Sequence, residues 1–364
     1  MNGSPKVRVL VIDDSALMRK LIPGILARDP EIEVVGTAMD GNFGLKKIDE
    51  LKPDVVTLDL EMPRMDGLEA LRQITRIYRL PVVVVSAHSR TGAAATFKAL
   101  ALGAFDFVPK PFDAAQARLE GIAEQLVSKV KVAAKAGAPK EGACAPEGFR
   151  PQKPVRRPFK KPEKVVTIGI STGGPNALQY MLSQLPGDFG GALVVVQHMP
   201  EGFTELFARR LNECCAIDVK EARSGDVLLA GRALICPGNR HVRIRRMPLG
   251  DVVVLGDDDK VNGHRPSADI LFESAGKELG AKAIALLMTG MGEDGAEGLG
   301  IVKAAGGLTV AQDEHSCVVF GMPKAAIERG HAMRVMPLDA LANFLIRHCS
   351  SAAQPQRVEV GTEA

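Results

Sequence analysis

A serine stands where an apolar, β-branched run stops and two glycines follow. The segment 165–178 reads VVTIGISTGGPNAL, and Ser171 is the centre of a Gly-x-Ser-x-Gly pattern at 169–173. Such a pattern can mark a strained strand-to-helix turn that holds a serine nucleophile, and unpaired N–H groups at a helix start suit an anionic intermediate. The alternative is an ordinary strand-to-helix turn, because so short a pattern also arises by chance.

A serine nucleophile needs a base, and a histidine base needs a carboxylate that orients it. Among the seven histidines, His198 ends the strong apolar run ALVVVQH, whereas His241 and His264 are competitors in polar loops. Asp294 follows the apolar run AIALLMT within a glycine-rich turn. A loop histidine and a helix N-cap are the alternatives for these two positions. We predict that Ser171, His198 and Asp294 act together, because each follows an apolar run at the carboxyl end of a predicted parallel strand.

A second group of polar residues ends the apolar runs of the first half of the chain: Asp13 and Asp14, Asp59, Ser86 and Lys110. Three carboxylates on neighbouring strand ends repel one another unless a cation lies among them, and Mg²⁺ is the hard divalent ion that fits best. The lysine and the metal would neutralise a phosphoryl group carried on Asp59, and Ser86 could hydrogen-bond to it. The alternative is a set of helix N-caps.

Strand and helix patterns alternate along the first half. Strands are predicted at Val7–Ile12, Ile32–Ala38, Val55–Leu58, Val82–Ser86 and 105–108, and helices at 15–27, Gly41–Leu51, 67–77, 91–102 and 116–132. This alternation predicts a parallel sheet covered on both faces, with its ligand site at the carboxyl ends of the strands. We expect the second half to be an α/β domain of the same doubly wound kind.

The length of 364 residues predicts more than one domain. We place the first domain at 1–132, a basic proline-rich linker at 133–163, the second domain at 164–350 and a loose tail at 351–364. The run RPQKPVRRPFKKPEK at 150–164 cannot form a helix because of its prolines. A solvated tether is the simpler interpretation of its charge, and attraction to an acidic partner is the other.

Composition narrows the class of protein. The chain is 46% hydrophobic and 24% charged, and no apolar run approaches the roughly 20 residues of a membrane span. With no visible signal peptide and six cysteines without metal spacing, we expect a cytoplasmic protein with free thiols and no direct membrane insertion. The absence of tryptophan and the presence of only two tyrosines argue against nucleic-acid binding.

Residues 7–130 resemble a response-regulator receiver domain in VIDDS (11–15), LDLEMPRMDG (58–67), VVSAHS (84–89) and FVPKPF (107–112). The resemblance implies a flavodoxin-like fold and a histidine kinase as phosphodonor. It assigns the phosphoacceptor to Asp59, the metal pair to Asp13 and Asp14, the supporting hydroxyl and lysine to Ser86 and Lys110, and the switch aromatic to Phe107.

Residues from about 163 to 350 resemble the Rossmann-like catalytic domain of the chemotaxis protein-glutamate methylesterases, the CheB family, in GISTGGP, VVQHMP, HRPSAD and LMTGMGEDG. The resemblance implies the triad Ser171, His198 and Asp294, with Met291 on the oxyanion side and no cofactor for ester hydrolysis. We expect backbone N–H groups near Thr172 and Met291 to hold the oxyanion. Glu293 departs from the family, in which a neutral residue is common. The order Ser–His–Asp also differs from the Ser–Asp–His order of α/β-hydrolases.

Together the two resemblances imply a phosphorylation-activated enzyme of chemotaxis adaptation. It would hydrolyse glutamate γ-methyl esters on chemoreceptor helices with release of methanol, and it would deamidate receptor glutamines. Two alternatives stay open from the sequence. One is a non-catalytic scaffold that binds receptors, and the other is a transcriptional regulator, against which the length and strand content of the second half argue.

Overall fold

The computed structural model describes residues 5–62, 65–87, 89–110, 116–137 and 160–349. Most of the predicted linker, residues 138–159, and the predicted tail, residues 351–364, lie outside the described residues. Within the described ranges, no helix has both the length and the apolar character needed to cross a membrane.

The N-terminal domain is built on a five-stranded parallel sheet with the strand order β2-β1-β3-β4-β5. Its strands are β1 (Val7–Ile12), β2 (Ile32–Ala38), β3 (Val55–Leu58), β4 (Val82–Ser86) and β5 (Asp106–Pro109). The three inner strands are almost wholly buried, because helices cover both faces of the sheet.

Five helices connect these strands: α1 (Ala16–Leu26), α2 (Gly41–Leu51), α3 (Gly67–Gln73), α4 (Arg90–Ala101) and α5 (Gln116–Ala136). Side chains of Ser15, Asp40, Asp66 and Ser89 cap the first four of them. A π-helical turn, Ile74–Tyr78, continues α3. Helix α5 runs four residues into the predicted linker, because Ala133 is still fully buried in the core of the domain.

The C-terminal domain contains a seven-stranded parallel sheet with the order β14-β13-β12-β6-β7-β9-β8. Its strands are β6 (Val165–Ile170), β7 (Ala192–Gln197), β8 (Asp218–Glu221), β9 (Arg232–Ile235), β12 (Ala283–Leu287), β13 (Leu308–Gln312) and β14 (Arg334–Met336). A separate antiparallel pair is formed by β10 (His241–Arg245) and β11 (Val252–Gly256).

Helices pack on both faces of this sheet: α6 (Gly174–Ser183), α7 (Phe203–Cys214), α8 (Ala268–Leu279), α9 (Ala296–Ala304), α10 (Met322–Glu328) and α11 (Leu338–Cys349). One core joins the sheet to α6, α7 and α11, and the other joins it to α8, α9, α10 and β10. The predicted fold class, two doubly wound parallel-sheet domains, is therefore confirmed.

The strand order places a topological switch point at β6. The chain leaves β6 towards β7 on one side, and it returns later to β12 on the other side. Connections that run in opposite directions leave a crevice beyond the carboxyl ends of such strands, and this is where ligands bind in open α/β sheets. The segments that follow β6, β7 and β12 therefore border one crevice.

The two domains share an apolar contact made largely by aromatic rings. Phe107 of β5 stacks on Phe203 of α7, with ring centroids 4.9 Å apart. Phe97 of α4 stacks on Phe207 at 5.4 Å, and the Asn176 amide at the start of α6 donates to the Leu100 carbonyl at 2.9 Å. All four rings are buried, so one continuous core runs from the N-terminal sheet to the C-terminal one.

Gly169→Ala tests how closely α8 packs on β6. A Cβ at this position would lie 2.6 Å from the Ala268 Cβ and 3.0 Å from the Leu287 Cδ1. We expect the free energy of unfolding of the C-terminal domain to fall by about 1–3 kcal/mol, because the helix has to move. Scanning calorimetry measures the change. As a control, Gly24→Ala lies in α1 where an added Cβ meets nothing within 4 Å, and it should stabilise the protein. Equal effects of the two variants would contradict this account.

Candidate active site

Three strand ends of the C-terminal sheet meet at the crevice. Ser171 follows β6 and its N–H donates to the Thr289 carbonyl beyond β12 at 2.9 Å, while the N–H of His198 beyond β7 donates to the Ile170 carbonyl at 3.1 Å. The nucleophile candidate is thus fixed on both sides by the strands that carry its predicted partners. Regular pairing of β6 with β7 and β12 produces this arrangement, because parallel register carries on past the strand ends.

The turn after Ser171 is tight and leads directly into α6. Gly173 has a φ of 76°, a left-handed conformation that favours glycine, and it forms the N-cap of the helix. The Gly174 N–H donates to the Ser171 carbonyl at 2.8 Å. Ser171 itself is partly exposed, so its hydroxyl can reach a ligand in the crevice.

His198 and Asp294 form a buried hydrogen-bonded pair. The His198 Nε2 lies 2.8 Å from the Asp294 Oδ2, and the two side chains are 8% and 0% exposed. The other ring nitrogen, Nδ1, is buried and has no hydrogen-bond partner among the described residues. Ser171 is therefore a neighbour of His198 along the sheet but is not hydrogen-bonded to it in this structure. Contacts of this kind often tighten only when substrate is bound.

A dense set of donors surrounds the Asp294 carboxylate. The Ser267 Oγ donates to it at 2.6 Å, the Ala268 N–H at the start of α8 at 2.7 Å and the Asn262 amide at 3.2 Å. Burial alone would raise the pKa of Asp294, but the hydrogen bonds and charge of His198 together with these donors hold it well below its usual range. The carboxylate consequently remains ionised beside the histidine.

The donors to Asp294 are candidate functional residues that the sequence did not reveal. Ser267 occupies the N-cap position of α8, where a serine hydroxyl usually bonds to the helix backbone, but its side chain makes no such cap. Asp294 accepts the Ala268 N–H instead, so a residue from another segment caps the helix. The motif HRPSAD at 264–269 contained the signal, although its spacing alone does not show what Ser267 contacts.

The two competing histidines occupy other places in the site. His264 stacks on His198 with ring centroids 3.8 Å apart and planes 8° from parallel, and burial lowers the pKa of His264 to about 4, assisted by repulsion from His198. His241 is fully buried, accepts the Ser267 N–H at 3.2 Å and contacts the Asp259 carbonyl. Only His198 pairs with Asp294 among these three histidines.

Two backbone N–H groups at the crevice are available to an anion. Neither the amide of Thr172 nor that of Met291 donates a hydrogen bond to any described residue. Thr172 is buried, whereas the Met291 side chain is 38% exposed and its sulfur accepts from the Ser128 hydroxyl of α5 at 2.8 Å. The neighbouring Glu293 pairs with Arg329 at 2.6 Å. Its charge is therefore compensated away from the triad.

The acidic group of the N-terminal domain forms a second site. Carboxylate oxygens of Asp13, Asp14 and Asp59 lie within 4.8 Å of one another. The Lys110 ammonium is 2.7 Å from the Asp59 Oδ2 and 3.2 Å from the Asp13 Oδ2, so one lysine faces three carboxylates. Burial raises the pKa of both Asp13 and Asp59 despite this lysine. Clustered oxygen ligands with uncompensated charge fit a hard divalent cation such as Mg²⁺.

The other two predicted receiver residues lie on the neighbouring strands. Ser86 is buried at the end of β4 and its hydroxyl donates to the Gly92 carbonyl at 3.1 Å. The Phe107 ring lies in the contact between the domains, where it stacks on Phe203. Lys129 of α5 binds strand β5, because its ammonium donates to the Phe107 carbonyl at 2.8 Å and lies 3.0 Å from the Asp106 carboxylate.

Comparison with known proteins matches both halves of the chain. Residues 166–345 match the CheB methylesterase family, and residues 9–120 match the response regulator receiver domain family. The chain is 64% identical to protein-glutamate methylesterase/protein-glutamine glutaminase 2 of Koribacter versatilis over 96% of its own length and 97% of that protein. It is 44% identical to the protein-glutamate methylesterase/protein-glutamine glutaminase of Halalkalibacterium halodurans, over 94% of its own length and 99% of that protein.

A solved structure resembles the C-terminal half. The crystal structure of the Thermotoga maritima CheB methylesterase catalytic domain covers 50% of this chain and 97% of its own, at 41% identity and a TM-score of 0.50.

A fluorophosphonate probe tests the site independently of any natural substrate. We expect it to modify Ser171, whose oxygen would displace fluoride from phosphorus, and mass spectrometry of the digested protein would locate the adduct. Asp294→Asn should slow labelling by about two orders of magnitude or more, because the amide favours the wrong histidine tautomer. The control is Asp218→Asn, a carboxylate at the start of β8 that pairs with Arg232, and this variant should be labelled at the wild-type rate. Adducts on serines other than Ser171 would count against this site.

Proposed function

The chain belongs to the CheB methylesterase family, and from this premise we propose that it hydrolyses γ-methyl esters of glutamate residues on chemoreceptors and deamidates receptor glutamines. The observation that carries the proposal is the 2.8 Å hydrogen bond between His198 and Asp294 at the strand end beside Ser171. The names of the relatives, which combine methylesterase and glutaminase, support both activities.

Acylation begins with attack by the Ser171 oxygen on the ester carbonyl. The proton of the hydroxyl passes to the Nδ1 of His198, the ring nitrogen that has no other partner. Asp294 binds the opposite nitrogen, fixes the tautomer and stabilises the imidazolium that forms. The two ring nitrogens are thus used in the reverse sense from the serine protease triad, in which Nδ1 faces the aspartate.

Collapse of the tetrahedral intermediate breaks the ester bond, and the imidazolium returns its proton to the leaving methoxide, which departs as methanol. Water then attacks the acyl-enzyme and gives a proton to His198. The imidazolium returns that proton to the Ser171 oxygen as the acyl–oxygen bond breaks, which leaves a glutamate on the receptor and restores the enzyme. A glutamine side chain follows the same course with ammonia as the leaving group. No step requires a metal ion or an organic cofactor in the C-terminal domain.

Charge on the carbonyl oxygen of the intermediate needs donors in the crevice. The free N–H groups of Thr172 and Met291 supply them in this proposal. One such donor is worth about 3 kcal/mol of transition-state stabilisation. Thr172 follows the nucleophile directly, which is the usual place for one oxyanion donor.

The receiver domain controls access to this crevice. Asn176, in the first turn of α6 after Ser171, bonds to α4, and Met291 contacts Ser128 of α5. A receptor helix is bulky, so a domain that touches both oxyanion segments obstructs its approach. A histidine kinase provides the phosphoryl group for Asp59. Phe107 connects that site to the interface through β5 and its stack on Phe203.

Asp13, Asp14 and Asp59 would hold Mg²⁺ during phosphorylation, and the ion would supply positive charge to the phosphoryl oxygens. Lys110 already lies between Asp59 and Asp13 and can hold the phosphoryl group in place. Burial opposes its charge, but hydrogen bonding to Asp59 and attraction to Asp13 raise the pKa of Lys110, which therefore stays protonated.

Methanol release from methylated receptor is the direct test of the activity. We expect the full-length enzyme to release methanol, and Ser171→Ala to lose nearly all turnover because the variant lacks the hydroxyl that attacks the ester in the proposed mechanism. Ser183→Ala is the matched control, since the hydroxyl of that α6 serine donates to the Tyr180 carbonyl within the helix. Normal turnover by Ser171→Ala would overturn the proposal, and an inactive wild type that still binds receptor would favour a scaffold.

Control by phosphorylation is tested with acetyl phosphate and Mg²⁺. We expect the phosphodonor to raise methanol release by about 5- to 150-fold, the range of typical couplings between sites. Asp59→Asn should abolish the response without lowering basal turnover. The control is Asp54→Asn. The Asp54 carboxylate accepts the Arg8 N–H at the opposite end of β3, so this variant should keep the response to the phosphodonor. Activation of Asp59→Asn would contradict the assignment of the phosphoacceptor.

A further inference from the structure

The buried side chain of Gln197 crosses from the end of β7 to the nucleophile turn. Its Nε2 donates to the Ser171 carbonyl at 3.0 Å and lies 3.3 Å from the His198 carbonyl. The residue is only 2% exposed. Because both carbonyls are acceptors, the amide nitrogen and not the amide oxygen has to face them. One side chain therefore binds the backbone of two triad residues.

The bond to Ser171 acts on a whole peptide unit. The Ser171 carbonyl and the Thr172 N–H belong to the same planar, trans peptide, so they point in opposite directions. A donor that holds the carbonyl on the buried side consequently directs the Thr172 N–H away from it, towards the crevice. That N–H donates to no described residue. Donation to the carbonyl also polarises the peptide and strengthens the N–H as a donor.

Packing fixes the glutamine in this position. A Cβ added to Gly174 would lie 2.2 Å from the Gln197 Oε1, so the side chain fills the space beneath the turn. The Oε1 is buried and accepts no hydrogen bond among the described residues. An amide oxygen buried without a donor is destabilising. The hydrogen bonds from the amide nitrogen to the Ser171 and His198 carbonyls offset that cost, and they fix the position of both backbone segments.

We propose that Gln197 is a positioning residue that orients the 171–172 peptide and thereby directs the Thr172 N–H at the oxyanion. This inference rests on the proposed function and adds a residue to its machinery. Gln197 does not touch the reacting atoms and transfers no proton. Because the Gly174 N–H also binds the Ser171 carbonyl, loss of Gln197 loosens the peptide but does not release it.

The test is Gln197→Met in the full-length protein, since methionine has nearly the same length and no donor. We expect kcat for methanol release to fall by about tenfold or more, less than the 10²–10³ lost with a whole oxyanion donor. KM should be unchanged, because the N–H of the 171–172 peptide stabilises the oxyanion of the transition state and not the bound substrate. Affinity for propylboronic acid should fall in parallel with kcat, because its boron accepts an electron pair from the Ser171 oxygen to form a tetrahedral anion.

Thermal melting separates this role from a structural one. Gln197→Met removes the unsatisfied amide oxygen together with the hydrogen bonds from the amide nitrogen to two carbonyls, and because these effects oppose each other we expect only a small change in melting temperature. Gln197→Glu keeps the shape but presents only acceptors to the Ser171 carbonyl when ionised, and it should show the same loss of kcat and of boronate affinity. Gln179→Met is the matched control, because that glutamine of α6 binds Arg210 and not the 171–172 peptide. It should leave kcat and boronate affinity at wild-type values.

Unchanged kcat and boronate affinity in Gln197→Met would overturn the inference. A lower melting temperature with KM and kcat both impaired would also overturn it, because Gln197 would then only support the fold. A wild-type enzyme that releases no methanol would overturn the proposed function along with the inference. An active wild type with an unaffected Gln197→Met would overturn the inference alone.

Discussion

A buried carboxylate has to be compensated, and the site at Asp294 is organised around that constraint. With its side chain 0% exposed, this aspartate can stay ionised only because the Ser267 hydroxyl, the first N–H of α8 and His198 all donate to it. The same requirement joins three separate parts of the chain: the loop after β7, the start of α8 and the turn after β12. The histidine is oriented as a consequence of satisfying the charge.

Both domains place their chemistry in the same way. In each, parallel strands end in polar residues, and the carboxyl ends of neighbouring strands converge on one edge. The N-terminal site collects carboxylates with a lysine, which suits a cation and a phosphoryl group, whereas the C-terminal site collects a hydroxyl, an imidazole and a carboxylate. Two separate chemistries thus arise from one type of sheet, because strand-end residues can change without altering the core.

The aromatic contact between the domains gives the receiver a physical connection to the crevice. Phe107 lies on the strand directly before Lys110, and its ring stacks on the first residue of α7, which follows the His198 loop. In the proposed regulation, a change at Asp59 would reach the segments of the candidate active site through β5 and this pair of rings. The burial of these rings in a continuous core means that separating the domains exposes apolar surface.

Much of this protein follows from local sequence pattern. The strands β1 to β4 and the helix α2 have the bounds that periodicity predicts, and the residues of both candidate sites are recognisable because each ends an apolar run. Local pattern also suffices for the fold class, because strand–helix alternation permits few topologies. The limits of α5 differ because burial of Ala133, a tertiary contact, extends the helix.

Only the tertiary structure decides the partners of the polar groups. The sequence by itself indicates no role for Ser267 or Gln197, and it offers three histidines for one aspartate. The fold decides that Ser267 and the Nε2 of His198 bind Asp294, and that Gln197 binds the Ser171 carbonyl. The physical reason is that a hydrogen bond depends on which acceptor lies within about 3 Å, and the order of strands in the sheet sets those distances.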